Sequence, residues 1–222
     1  MAKPKIIVMA LDAAAVNSGV CIIEASPISK PPHVQYNLLY EAGLVHGPKN
    51  DHTERSKFAD IVKGLALLHK VDFVVIEDYI SRGGTTNTSS YEHGETVGQI
   101  KKGLWEINMP MVIVGPTQMR SFISVPSRLP DSGKQHIIDT CKNDYGFVSS
   151  GTNQNKRSNA SDAFIHCIIG AMTYFHFVGS EQGELDKAKS DILLGDGKKM
   201  AGIVNSPQAF FNCDWATLKQ ER

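Results

Sequence analysis

The 222-residue chain has no excess of charge of either sign, because 23 basic residues stand against 23 acidic ones. Composition therefore gives no support to nucleic-acid binding, and any such partner would have to be held by a local basic face. The apolar runs fall short of the roughly 18 to 20 residues that a membrane span needs. We expect a soluble protein without a membrane partner.

Common metal and nucleotide signatures are also missing. None of the eight histidines lies in an H-E-x-x-H pattern or beside paired cysteines, which argues against a zinc site. No G-x-x-x-x-G-K-[ST] motif occurs, so we expect no nucleotide cofactor. The four cysteines stand far apart, and the chain begins with a strand rather than an export signal. We expect reduced, buried thiols in a cytoplasmic protein.

The segment from Lys5 to Ile23 is the most informative part of the chain. An apolar run reaches Asp12, passes a turn of small residues and resumes as a second apolar run from Val20. This pattern predicts a strand, a tight connection and a returning strand. A carboxylate at the end of a dry strand is costly to desolvate unless a cation shares its site, so Asp12 is a candidate metal ligand. The alternative is that Asp12 only caps the turn.

The next three elements are predicted from hydrophobic spacing. Val34 to Val45 predicts a third strand, which would complete an antiparallel meander. Helical spacing follows from Thr53 to His69, with Asp51 or Thr53 as its N-cap. The almost uninterrupted apolar segment from Val71 to Tyr79 predicts a strand that is buried on both faces, as in the centre of a parallel sheet.

The second half of the chain is predicted to be mainly helical. Ser81 to Ser90 has no apolar side chain and predicts an exposed, mobile loop. The later elements are a helix from Tyr91 to Asn108, a strand from Met111 to Val114, a helical turn from Pro116 to Phe122, a helix from Ser132 to Tyr145 and an apolar helix from Asn159 to Phe177.

We predict one domain over residues 1–178 and a C-terminal extension over residues 179–222. The extension begins as an acidic linker and ends in a segment that carries Phe210, Phe211 and Trp215. Aromatic side chains of this size are usually buried, so the segment is expected to dock on the domain or on a partner.

Three acidic residues lie where the predicted elements would meet: Asp12, Glu77 and Asp162. If the first and fourth strands are parallel neighbours, Asp12 and Glu77 project at the same end of the sheet, and a helix packed across that end adds Asp162. Clustered carboxylates repel unless cations neutralise them, and Mg²⁺ prefers hard oxygen ligands. Two such ions can promote phosphodiester cleavage. Three acids on three elements also occur together by chance, so spacing alone does not decide.

The order of six segments resembles the RuvC-type Holliday junction resolvases of the ribonuclease H-like superfamily: LDAAAVNSGVCII, VVIEDYI, YEHGETVGQIKKGL, VGPTQMRSFI, SGKQHIID and NASDAFIHCIIGAMTY. The resemblance implies a ribonuclease H-like α/β fold with a five-stranded mixed sheet flanked by helices, in which strands one to three are antiparallel and strands four and five run parallel to the first. It also implies two Mg²⁺ ions, for which Mn²⁺ could substitute, held by Asp12, Glu77 and the positions 159 and 162.

Position 159 departs from the family pattern, because it is Asn where an acidic group is expected. Asn159 and Asp162 share one face of a helix, so both could reach a metal. An amide oxygen is neutral, however, and cannot act as a base. Asn159 could be a tolerated native ligand, the chain could be a disabled Asp-to-Asn variant, or Asp78 could supply the missing charge.

The resemblance also implies roles for basic residues, which are locally in excess between Lys101 and Arg157. Arg120 and Lys134 match positions that contact phosphates near the cut. The loop after Glu77 would insert at the junction centre. The full set of predicted DNA-binding residues is Tyr79, Ile80, Arg82, Lys101, Lys102, Arg120, Lys134, Lys156 and Arg157.

The implied function is metal-dependent cleavage of four-way DNA junctions by a homodimer, with the glycine-bearing helix from Tyr91 to Asn108 as the interface. One alternative is a non-catalytic junction-binding protein on the same fold, which Asn159 motivates. Another is the actin-like ATPase branch, which also begins with a strand, an Asp and a hairpin. That branch needs a glycine-rich phosphate turn, whereas Ala13, Ala14 and Ala15 follow Asp12 here.

Overall fold

A computed structural model describes residues 4–14, 17–31, 33–45, 51–77, 87–125, 133–177, 190, 193 and 210–211. The strands are β1 (Ile6–Asp12), β2 (Asn17–Pro27), β3 (Val34–Val45), β4 (Phe73–Glu77), β5 (Met111–Val114) and β6 (Phe210–Phe211). The helices are α1 (His52–Leu68), α2 (Asn87–Glu106), α3 (Pro116–Phe122), α4 (Lys134–Tyr145) and α5 (Gln154–Phe177).

One mixed sheet runs through the described residues in the order β3-β2-β1-β4-β5-β6. β1, β2 and β3 are antiparallel neighbours, whereas β4 and β5 run parallel to β1. This confirms the predicted arrangement of three antiparallel and two parallel strands. Phe210–Phe211 of the C-terminal extension add a short sixth strand, antiparallel to β5. Trp215 lies outside the described residues.

Helices cover both faces of the sheet. Along β1, Val8 and Ala10 pack on one face and Met9 and Leu11 on the other, as the pleat of a strand requires. The first face is covered by α3, α4 and α5, and the second by α1 and α2, which also pack against each other. The side of the sheet toward which a strand residue points therefore decides which helices it can meet.

α5 lies unusually close to the sheet, and a glycine permits this. A Cβ at Gly170 would lie 2.5 Å from Cγ2 of Val75 and 3.0 Å from Cε2 of Phe73. A larger residue would push the helix away from the strands. The depth at which α5 packs is therefore set by van der Waals contact with β4.

Two helices begin several residues earlier than predicted. α5 begins at Gln154 rather than Asn159, because Oδ1 of Asn153 accepts a hydrogen bond from the Lys156 backbone N–H at 2.9 Å and caps the helix. α2 begins at Asn87, inside the segment predicted as a loop. Polar residues such as Asn, Thr and Ser have weak helix propensity, so the sequence pattern at residues 87–90 does not predict a helix. Residues 81–86 of the predicted loop lie outside the described ranges.

The first helix confirms its predicted cap. Oδ1 of Asp51 accepts hydrogen bonds from the backbone N–H groups of Thr53 and Glu54 at 3.0 and 3.1 Å.

No helix in the described ranges is long and apolar enough to cross a membrane.

Candidate functional site

Asp12 and Glu77 lie side by side at the C-terminal ends of two parallel strands. The β1–β4 register brings the two positions to the same level of the sheet. Side chains alternate along a strand, so the face occupied by Ala10 and Val75 is also the face of Asp12 and Glu77. Both carboxylates therefore project toward the α5 side of the sheet.

The last helix brings Asp162 to the same place. Gly19 of β2 is the partner of Asp12 in the antiparallel register, and the α5 backbone at Asn159 packs directly on it. A Cβ at position 19 would overlap the carbonyl oxygen of Asn159, so the approach needs a glycine. Asp162 lies one turn further along α5, near enough for its charge to act on Glu77.

The carboxyl groups of Asp12 and Glu77 are hydrogen-bonded to each other. Burial raises the pKa of Glu77 well above its usual value, and the negative charges of Asp12 and Asp162 raise it further. Burial also raises the pKa of Asp12, whereas the hydrogen bond from Glu77 and the charge of Lys134 lower it. We therefore place the shared proton on Glu77, which donates to the Asp12 carboxylate.

The carboxyl group of Asp162 is surrounded by fewer hydrogen-bond donors than its oxygens can accept. Burial and then the charge of Asp12 raise its pKa well above the usual value. The Ser158 hydroxyl donates to Oδ2 of Asp162 at 3.4 Å, but Oδ1 is buried and has no hydrogen-bond partner among the described residues. A buried acceptor without a donor is costly. The cluster thus holds more carboxylate oxygens than its surroundings satisfy, and a cation would remove that deficit.

Two basic side chains act on the carboxylates from the neighbouring helices. Arg120 of α3 lowers the pKa of Glu77 and that of Asp162. Lys134, the first residue of α4, lowers the pKa of Asp12 and that of Asp162. The structure therefore brings these two predicted phosphate contacts near enough to the predicted metal ligands for their charges to act on them.

The three carboxylates are a suitable set of donors for a divalent metal, but they would have to rearrange to hold one. Within the described ranges, no three His, Cys, Asp or Glu side chains already stand in a metal-binding arrangement. The raised pKa of Glu77 favours its protonated form, and Oδ1 of Asp162 is buried without a hydrogen-bond partner among the described residues. Loss of that proton and a rotation of Asp162 would present three carboxylates, which are the hard oxygen ligands that Mg²⁺ prefers.

Asn159, the predicted fourth ligand, has a different partner. Its Nδ2 donates a hydrogen bond to the carbonyl oxygen of Asn17 at 3.3 Å. The amide group is therefore engaged with the start of β2.

The other predicted DNA contacts are dispersed. Lys156 and Arg157 lie in the first turn of α5, where the Lys156 side chain packs on Gly43 of β3. Lys101 and Lys102 lie in α2, on the opposite side of the sheet from the carboxylates. Tyr79, Ile80 and Arg82, and also Asp78, lie outside the described residues.

The turn after Asp12 is held by two residues that the sequence did not single out. The hydroxyl of Ser18 accepts a hydrogen bond from the Ala14 backbone N–H at 3.1 Å. The ring of His93 in α2 donates to the backbone carbonyl of Ala13. His93 and Ala13 are far apart in the sequence, so no local pattern predicts this contact.

A third missed residue, Glu41 of β3, holds the segment before α5. Its carboxylate accepts hydrogen bonds from the Ser149 hydroxyl at 2.7 Å and from the Ser150 backbone N–H at 3.1 Å. These hydrogen bonds connect β3 to the segment that precedes α5, the helix that carries Lys156 and Arg157.

The fold is similar to that of solved structures of a RuvC protein. A structure described as T. thermophilus RuvC in complex with Holliday junction substrate matches with a TM-score of 0.57 and 13% identity, covering 78% of this chain and 97% of the RuvC chain. A second structure, described only as a Thermus thermophilus RuvC structure, matches with a TM-score of 0.57 and 14% identity, and it has the same coverage of both chains. No protein-family model and no curated protein sequence matches the chain. At this identity the similarity establishes a RuvC-like, ribonuclease H-like fold.

Proposed function

We propose that this chain is a metal-dependent, structure-selective endonuclease that cleaves four-way DNA junctions and related branched DNA. The observation that carries the proposal is the cluster of Asp12, Glu77 and Asp162, which is deficient in positive charge and lies beside Arg120 and Lys134. A resolvase fold supplies the context, because a neighbour of the same fold is described in complex with a Holliday junction substrate.

The three carboxylates are proposed to hold two Mg²⁺ ions, with Mn²⁺ as a substitute. When bound, such ions activate the attacking water and stabilise the departing 3′ oxygen of a phosphodiester. The protein's own part is to bring the acids together at the ends of β1 and β4 and on α5. Arg120 and Lys134 would pair with the phosphate oxygens, and their positive charge would offset the charge that develops during cleavage.

The DNA is proposed to lie across the end of the sheet where α3, α4 and the first turn of α5 meet. Lys134, Lys156 and Arg157 are on this side, and Lys134 also donates to Oδ1 of Asn155 at 2.9 Å. The segment between Glu77 and α2 begins at the same end, which is consistent with a role for Tyr79, Ile80 and Arg82 at the junction. Lys101 and Lys102 would contact DNA only if it extends around to α2.

A four-way junction has two equivalent strands to cut, so the proposal includes a homodimer with two sites. α2 has an exposed stripe suited to this contact, because Tyr91, Gly98 and Trp105 recur every seven residues. Tyr91 and Trp105 are 67% and 61% exposed, and a Cβ at Gly98 would meet open space. Large aromatic side chains on either side of a glycine allow two helices to approach closely.

The direct test is cleavage of a labelled four-way junction beside linear duplex DNA and an RNA–DNA hybrid, in Mg²⁺ and in Mn²⁺. Wild type should make paired cuts in the junction, and Asp12→Asn should make none while still binding it. Junction binding without cleavage by wild type in either metal would instead support a non-catalytic junction-binding protein. Preferential cleavage of the RNA–DNA hybrid would agree with a ribonuclease H-like nuclease, but it would make the hybrid, rather than the four-way junction, the proposed substrate.

A further inference from the structure

We infer that Asn159 is a native structural residue rather than an impaired metal ligand. Its side chain forms a hydrogen bond that connects α5 to β2, and we call this hydrogen bond the tie. The inference rests on the proposed function, because it assigns the ligands of that metal site. It limits the set to Asp12, Glu77 and Asp162.

The position of Asn159 is set by the close contact between helix and strand. The α5 backbone at Asn159 lies on Gly19 with no room for a side chain between them. At this contact Nδ2 of Asn159 donates to the carbonyl oxygen of Asn17, at 3.3 Å. Gly19 is also paired with Asp12 across the β1–β2 ladder. The hydrogen bond therefore joins the helix that carries Asp162 to the strand that flanks Asp12.

The chemistry of this contact distinguishes an amide from a carboxylate. A backbone carbonyl oxygen can only accept hydrogen bonds, and the amide nitrogen of Asn supplies the donor. An ionised Asp at position 159 would have no donor and would place its oxygens against the Asn17 carbonyl. It would also add a further negative charge beside Asp12 and Asp162. Asn159 thus has a partner that an acid could not have.

The test compares three variants of the full chain: Asn159→Asp, Asn159→Ala and Asn153→Asp. Asn153→Asp is the matched control, because it makes the same chemical change near the start of α5 while keeping the acceptor that caps Lys156. Thermal melting in EDTA measures the tie, and titration with Mn²⁺ followed by electron paramagnetic resonance measures the metal site.

We expect Asn159→Asp to melt about 2–4 °C below Asn153→Asp and to gain no more Mn²⁺ affinity than that control. Asn159→Ala removes the tie without adding charge, and should weaken Mn²⁺ binding about tenfold, as loss of supporting contacts around a metal site does.

Three results would overturn the inference. They are a tenfold or larger gain in Mn²⁺ affinity or cleavage in Asn159→Asp alone, equal melting of the two Asp variants, and unchanged Mn²⁺ affinity in Asn159→Ala. If wild type binds no Mn²⁺, the proposed function fails, and the melting comparison still decides whether Asn159 forms the tie.

Discussion

Glu77 donates a hydrogen bond to Asp12 where the parallel strands β4 and β1 end. The two acids share a proton because they are partly buried on adjacent strands and the third acid, Asp162, adds further negative charge. The charge of the cluster therefore depends on pH and on any cation that binds there. This dependence can be measured without a substrate.

The first prediction concerns stability and pH in EDTA. The folded-state pKa of Asp12 is raised, so folding favours its protonated form, and the stability this gives is lost as pH rises through the folded-state pKa. Asp12→Asn should therefore melt like wild type near pH 4 and about 2–4 °C above it at pH 8, which is about 1 kcal/mol for a chain of this size.

The control for this prediction is Asp60→Asn, because Asp60 is an exposed acid in α1 that pairs with Lys63. The difference in melting temperature between Asp60→Asn and wild type should change little between pH 4 and pH 8. At pH 8, saturating Mg²⁺ should stabilise wild type more than Asp12→Asn, so that wild type then melts at the higher temperature. An Asp12→Asn chain that is less stable at pH 8 in EDTA would contradict the cost of burying the ionised Asp12 side chain.

The second prediction concerns the basic residues beside the cluster. Lys134→Gln should reduce the rate of junction cleavage in single turnover by about 10²-fold or more, as removal of one transition-state contact does, with a smaller effect on junction affinity. Lys142→Gln is the matched control, since Lys142 lies in the last turn of the same helix. Equal losses in both variants would indicate a general effect of charge on DNA binding, against a role for Lys134 at the cut.

The third prediction concerns the contact between His93 and Ala13. Ala13 is 1% exposed, so removal of the donor in His93→Leu leaves a buried carbonyl unsatisfied and should cost about 1–3 kcal/mol of unfolding free energy. His93→Gln retains a donor and should recover most of that loss. Hydrogen exchange of the peptide around Asp12 should accelerate in His93→Leu only.

A pH series gives an independent check on the same histidine. Burial lowers the pKa of His93 despite its bond to Ala13. A lowered pKa means that folding favours the neutral ring, so wild type should lose stability as pH falls below about 6.5. His93→Gln should lose less over that range, whereas His69→Gln at the end of α1 should behave like wild type. A parallel loss in wild type and His93→Gln would argue that His93 does not titrate in this way.

The fourth prediction concerns the exposed stripe on α2. Trp105→Glu should convert a dimer to a monomer in light scattering after gel filtration, because a charge would be buried at the contact. Val148→Glu is the control, since Val148 is also strongly exposed, at 69%, but lies before α5. A monomeric wild type at the concentrations used for cleavage would remove the stripe from the proposal.

Much of the fold follows from local patterns in the sequence. The strand over Val34–Val45 has the predicted bounds, and the apolar segment that ends near Glu77 is a central parallel strand. These elements were predictable because periodicity of two or continuous apolar character reflects burial directly. The start of α5 was not, because a polar cap at Asn153 extends the helix beyond its apolar part.

The sequence by itself determined which acids are available, and the resemblance to resolvases pointed to Asp12, Glu77 and Asp162. Only the tertiary structure decided that two of them share a proton, that Asn159 bonds to Asn17, and that His93 supports the turn after Asp12. The physical reason is that a hydrogen bond or a shifted pKa depends on distance and burial between residues far apart in the chain. Spacing along the sequence carries no measure of either.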